Sequence, residues 1–317
     1  LREKLKSKTI SILKWLWIAV VLVAAVIYFS LNFNNVETYF HLLKPGRIFL
    51  SLILMLAAKS LFALVSRFSV QAEGWNPSYI QMFSIYALTQ LAKYLPGGVW
   101  HHVGRFGVYR SKEMSNSKAG KAMILENIWL VASAFAVGFS IFLLIKPNMA
   151  AMILDQDIPY YLLRPAGAVV LAVWLLGMYL LQRFITDNEQ KKCPDPLAVS
   201  ISLTLAWILV GSSFYVLFPY DFQADLPTAI GGFAISWAVG FLAIFAPGGL
   251  GIREFLLSFM FSSSLSPELA PVLATFHRLI WVTSEIILGL LFSLPIFSFP
   301  LVNKTLSPEN TQDKYQE

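Results

Sequence analysis

Seven charged side chains stand inside otherwise apolar stretches: Lys59, Lys93, Glu126, Arg253, Glu254, Arg278 and Glu285. A charge at the centre of hydrocarbon costs at least about 2.5–3.5 kcal/mol, so such groups pair with one another, line a wet cavity or meet a substrate. The ammoniums of Lys59 and Lys93 can neutralise the carboxylates of Glu126 and Glu285, or the four can line a water-filled site. A carboxylate left without a partner takes up a proton, which is the chemistry of proton-coupled transport. Arg278 can bind phosphate, reach Glu254 or Glu285, or snorkel to the interface. His101 and His102 sit in the polar stretch from Val99 to Tyr109, where a headgroup contact or local hydrogen bonds are expected. Neighbouring side chains on a helix point about 100° apart, and the chain has 4 histidines and 1 cysteine, so neither a metal site nor a cofactor is expected. Arg105, Arg110, Lys112, Lys118 and Lys121 form a basic strip that sets topology or attracts anionic lipid.

These charges must be positioned by elements that a membrane tolerates. Apolar residues make up 57% of the 317 and charged residues 13%, with a mean hydropathy of +0.64. Ordinary soluble domains carry about 25% charged residues, so the composition is that of an integral membrane protein. The net charge of +6 is the surplus that orientation in a membrane calls for, and nucleic-acid binding is not expected. The run from Trp15 to Leu31 follows a basic head but no small-residue cleavage motif, so it is expected to be an uncleaved first span.

The tripeptide Pro-Gly-Gly closes two long apolar runs, as Pro96-Gly97-Gly98 and Pro247-Gly248-Gly249, with Gly251 following the second. Proline ends an incoming helix and glycine permits a sharp turn. In lipid, a broken helix survives only where protein or a cavity shelters its freed backbone groups. Past the second break, Arg253 and Glu254 open the next helix, where free N–H groups attract an anion or bond to Glu254 itself.

Lysine and arginine placement decides whether these runs cross the bilayer. If each Pro-Gly-Gly tips a hairpin that returns to its side of entry, cytoplasmic segments hold 16 Lys/Arg and outer segments 4. Full crossings would give ten on each side, and the positive-inside rule favours the hairpins. The expected fold is therefore all-α and polytopic, a single transmembrane domain over 1–317 with six full spans and two oppositely oriented re-entrant helical hairpins. Residues 14–145 form a first inverted repeat with its hairpin at 79–110, and 161–295 form a second with its hairpin at 228–264. Both termini are expected in the cytoplasm.

The stretches Gln90-Leu-Ala-Lys-Tyr-Leu-Pro-Gly-Gly98, Ile124-Leu-Glu126, Phe245-Ala-Pro-Gly-Gly-Leu-Gly-Ile-Arg-Glu254 and His277-Arg-Leu279 resemble the lysylphosphatidylglycerol synthase transmembrane-region, flippase-like family. This family is related to the membrane domain of multiple-peptide-resistance-factor proteins, and the resemblance runs over roughly 14–295. It implies translocation of a lipid or lipid-linked substrate in a bacterial or archaeal cytoplasmic (inner) membrane. Pro96–Gly98 and Pro247–Gly251 would then sit at the hairpin tips, with Glu126, Arg253, Glu254 and Arg278 in the polar core. The soluble aminoacyltransferase domain of larger relatives has no counterpart in these residues, so synthase activity is not expected. Asn127 stands where relatives often carry arginine, and Glu285 adds an acid to the final span.

The leading expectation is a lipid flippase or transporter whose substrate-binding groups are Glu126, Arg253, Glu254, Arg278, Glu285, Lys59, Lys93, His101, His102 and Arg105. One alternative is an intramembrane enzyme acting on a lipid phosphate or lipid-linked sugar, with His101 or His102 and Glu126 as its acid–base set. Another is a non-catalytic membrane partner of a glycosyltransferase or lipid-modifying enzyme.

Overall fold

The computed structural model describes residues 43–94, 99–112, 114–148, 151, 159–185, 194–219, 225–243, 246, 249, 251–261 and 269–294, with the single positions 23, 27, 37 and 39. The elements over this range are all helical: α1 (Pro45–Ala72), α2 (Tyr79–Gln90) continued by a 3-10 turn (Leu91–Tyr94), α3 (Trp100–Ser111), α4 (Asn116–Leu144), α5 (Tyr160–Ile185), α6 (Pro196–Tyr215), α7 (Leu226–Leu242), α8 (Ile252–Met260) and α9 (Leu269–Ser293). Five are long and apolar enough to cross a membrane: α1, α4, α5, α6 and α9. They coincide with five of the six runs expected to span, 48–66, 119–145, 161–182, 197–219 and 272–295. The sixth, 14–31, lies outside the described residues apart from Val23 and Ile27, as do Pro96, Gly97, Gly98, Pro247 and Gly248.

Local chemistry fixes the helix starts. The Ser78 hydroxyl accepts the Gln81 N–H at 3.2 Å, and Ser115 accepts from Lys118 at 3.3 Å. Asp195 accepts from Leu197 ahead of Pro196, whose missing N–H costs nothing in the first turn. Asp225 takes the Thr228 N–H at 2.9 Å and its hydroxyl at 2.8 Å, and pairs with Lys146 at 3.0 Å. Gly74, at φ 88°, turns the chain after α1 in a conformation that favours glycine.

α1 and α6 form the central pair, locked by reciprocal bonds in which the Ser51 and Ser213 hydroxyls each donate to the other's carbonyl at 2.8 Å. Around them, α4 packs on α7 while α9 packs on α2. The short helices also pair, α2 with α3 and α7 with α8, and each second partner touches the long helix that follows it. Every contact within α1–α4 thus has a counterpart within α6–α9.

Small residues set the closest approaches. A Cβ on Gly211 would stand 2.3 Å from the Ile230 Cα, so α6 and α7 meet backbone to backbone. An aromatic ladder fills the space beside them, with Phe62 edge-on to Trp207 at 5.5 Å and Trp207 against Trp237 at 4.9 Å.

Gly211→Ala should cost about 1–3 kcal/mol because backbone cannot yield as a side chain does. Gly177→Ala, where a Cβ meets open space, should be neutral or stabilising by about 0.4–1 kcal/mol. Thermal unfolding in detergent distinguishes the two, and equal shifts would contradict the packing. At Asp225, outside the spans, burial opposes ionisation, but the bonds from Thr228 and Lys146 outweigh it and hold the carboxyl below its usual range. Its contribution to stability is present above the unfolded pKa near about 3.9 and is lost as pH falls through the lower native value. Asp225→Asn should therefore flatten the acid side of a stability–pH curve, while leaving its neutral-to-alkaline side unbent.

Candidate functional site

The charged groups expected at membrane depth come together in three connected clusters. The central one is built on Glu285, in the fifth turn of α9 and 2% exposed. Its Oε1 accepts from Lys59 Nζ on α1 at 2.5 Å, from Lys93 Nζ on the 3-10 turn at 2.5 Å, and from Trp281 Nε1 one turn back at 2.8 Å. Lys59 also stands over the Trp281 ring, 3.7 Å from its centroid. One carboxylate therefore holds two ammoniums, and an indole face shares the charge of one of them. This ties α1, the end of α2 and α9 to a single oxygen.

The second cluster joins α1, α3 and α4. Glu126 Oε1 accepts from Arg105 Nη1 at 2.5 Å and from the Ser66 hydroxyl at 2.8 Å. Both Arg105 and Glu126 are buried, and the guanidinium also lies over the Tyr86 ring of α2 at 5.0 Å. Arg105 thus departs from the surface strip in which the sequence placed it. Arg110, Lys112, Lys118 and Lys121 are half-buried or exposed, whereas Arg105 points inward because α3 is a helix and five residues carry Arg110 round to another face.

The third cluster closes α7, α8 and α9. Glu254 Oε1 accepts from Arg278 Nη1 at 2.8 Å while its Oε2 accepts the Gly251 N–H at 2.8 Å, capping α8. Glu254 pairs with Arg278, one of the partners open to it from sequence, and not with its neighbour Arg253. The Arg253 side chain runs past Gly240 and Gly249, where an added Cβ on Gly240 would meet its Cγ at 2.7 Å, and its guanidinium lies over Trp237 at 5.6 Å. Gly249 and Gly251 have φ of 70° and 85°, so the turn into α8 needs glycine at both.

The histidines occupy two places. His101 and His102 lie on α3 with ring centroids 3.9 Å apart, closer than the angular separation of their Cβ atoms leads one to expect. His277 is buried on α9 and shares a 3.1 Å hydrogen bond with the Ser213 hydroxyl. Among the described residues no group of three or more metal-ligating side chains gathers.

The structure thus brings together Lys59, Lys93 and Glu285, pairs Arg105 with Glu126 and Glu254 with Arg278, and lays Arg253 along the turn beside them. Sequence reasoning missed the part played by Ser66, Tyr86 and Trp281. Ser66 had a readable signal, since it lies seven residues after Lys59 and shares its helical face; Trp281 had another, four residues before Glu285. Nothing in the sequence placed Tyr86 under Arg105. Compared with known proteins, the chain matches no family model and no curated sequence.

Removing one member of a buried ion pair leaves an uncompensated charge and costs about 3–5 kcal/mol. Glu285→Gln, which leaves two ammoniums facing one another, should fall in that range. Lys93→Gln should cost clearly less, because the Lys93 side chain is 24% exposed. Chemical denaturation of both purified variants checks the order, and a larger loss for Lys93→Gln would refute Glu285 as the hub.

Proposed function

We propose that the protein is a carrier that moves a phospholipid or lipid-linked substrate between the leaflets of a bacterial or archaeal cytoplasmic membrane. In this reading α2–α3 and α7–α8 are the arms of two re-entrant hairpins entering from opposite faces, with six spans around them. Three features support the hairpins. α2, α3 and α8 have 12, 12 and 9 residues, short of the roughly 20 that a crossing needs. Each arm packs against its partner. The contacts of α1–α4 are repeated by α6–α9, as a pseudo-two-fold arrangement of inverted repeats requires.

The observation that carries the reading is the gradient of exposure across the charged clusters. Lys59, Glu285, Arg105 and Glu126 side chains are 1–4% exposed, whereas Lys93, Arg278 and Glu254 are 24%, 29% and 19% exposed. A purely structural set would be sealed throughout. Here partly exposed charge accompanies buried charge, an arrangement suited to a headgroup whose tails stay in lipid. Across the three clusters, five cationic side chains stand beside three carboxylates, a balance that favours an anionic headgroup. A lipid-modifying enzyme or glycosyltransferase would be a natural partner, as the supplier or user of the substrate.

The test is reconstitution in vesicles containing headgroup-labelled phosphatidylglycerol, with a membrane-impermeant quencher outside. The wild type should hasten loss of inner-leaflet label, and the double variant Lys93→Gln/Arg278→Gln should slow it at least tenfold. Unimpaired movement by a folded double variant would defeat the proposal. A new lipid product in mass spectra would instead favour an intramembrane enzyme, and a fixed co-purifying partner without lipid movement would favour a presenting role.

A further inference from the structure

α4 and α5 touch closely at one end and part at the other. At Gly167 of α5 an added Cβ would stand 2.6 Å from the Leu144 side chain of α4, and the Ser140 hydroxyl donates to the Gly167 carbonyl at 3.4 Å. At Gly177, further along α5, an added Cβ would meet nothing within 4 Å. Between residues 128–139 of α4 and 170–181 of α5 the helices leave a groove of about 460 Å³, within the range of about 300–1,000 Å³ typical of small-molecule sites. Phe139 and Val173, which line it, are exposed. Both helices are long and apolar enough to cross a membrane, so the groove opens to hydrocarbon.

Among the described residues no charged side chain, hydroxyl or amide lines the groove, which leaves nothing to hold a phosphate or to accept from an alcohol. Aromatic residues are prominent in the lining: Trp129, Phe135, Phe139 and Trp174. The two tryptophans are buried, and neither indole N–H has an acceptor among the described residues. Unpaired buried donors are costly and call for acceptors. Their depth narrows the choice. Tryptophan ordinarily sits at the membrane interface, but Trp129 and Trp174 stand near the middle of α4 and α5, roughly 20 Å along each helix. Phospholipid ester carbonyls lie at the edge of the ~30 Å hydrocarbon core, too far from its centre to serve. An uncharged lipid that dissolves in the core and carries carbonyls on a flat ring meets these conditions.

We propose that the groove between α4 and α5 binds an isoprenoid quinone, with its ring among these aromatic side chains and its carbonyls accepting from Trp129 and Trp174. The tail continues into the surrounding lipid. The site is one of binding, and no electron transfer is assigned to it. It does not rest on the carrier reading, because none of the charged residues of the three clusters lines it.

Binding of radiolabelled decylubiquinone to the full chain in phosphatidylcholine nanodiscs, corrected with empty nanodiscs, tests the site. Binding should saturate at one quinone per chain. Decylbenzene, which keeps ring and tail but has no carbonyl, should compete at least tenfold more weakly than unlabelled decylubiquinone. Gly177→Leu, which places a side chain in the open space of the groove, should weaken binding at least tenfold. Trp129→Phe and Trp174→Phe, which keep a ring but lose the donor, should each weaken it about two- to tenfold, and they carry the test if the leucine variant does not fold. Absence of saturable binding, or binding undiminished in both phenylalanine variants or in a folded Gly177→Leu, would overturn the proposal. Equal competition by decylbenzene would also overturn it, leaving a groove that takes any apolar chain.

Discussion

The structure depends on the need to hold charge where hydrocarbon lies outside. Each of the helices α1, α4 and α9 is apolar enough to cross a bilayer, and each carries an ionisable side chain on its buried face. That is tolerable only because the partners arrive from other helices with good geometry. Lys59 and Lys93 come from distant parts of the chain and meet at one oxygen of Glu285. The need for neutralisation therefore does for assembly what the hydrophobic effect cannot do in lipid, where apolar surfaces have no preference for one another.

The other two clusters answer one another in the order of the chain. In one, the second short helix supplies arginine and the following long helix supplies glutamate, as Arg105 and Glu126. In the other, the order is reversed, with Glu254 on α8 and Arg278 on α9. The same mechanical duty, pinning a short helix to its successor, is met with opposite polarity. The pairs also differ in exposure, and only the second is open enough to exchange its partner without unpacking a helix interface.

Much of this was readable from residue types. Proline, glycine and the positions of lysine and arginine marked the helix ends, and α3 and α8 begin within a residue or so of where the broken runs were expected to resume. The charges expected at membrane depth were recognisable because each interrupts an apolar run. Partner choice was not legible, since Lys59 and Glu285 are 226 residues apart and their encounter depends on how α1 and α9 pack. Arg105 escaped notice for a related reason. In a basic stretch, sequence counts charges but does not show which face of a 12-residue helix turns inward. Trp281 carries no charge of its own, and its value as a cation-bearing ring arises only once Lys59 lies over it.

Glu254 serves two masters through separate oxygens, and this has a mechanical result. The oxygen that closes the start of α8 is not the one that grips α9. Should Arg278 swing away to another anion, the first turn of α8 keeps its backbone anchor and need not fray. A joint of this kind can be uncoupled and recoupled many times without melting either helix, because what is traded is a side-chain grip while the fold of the moving part stays whole.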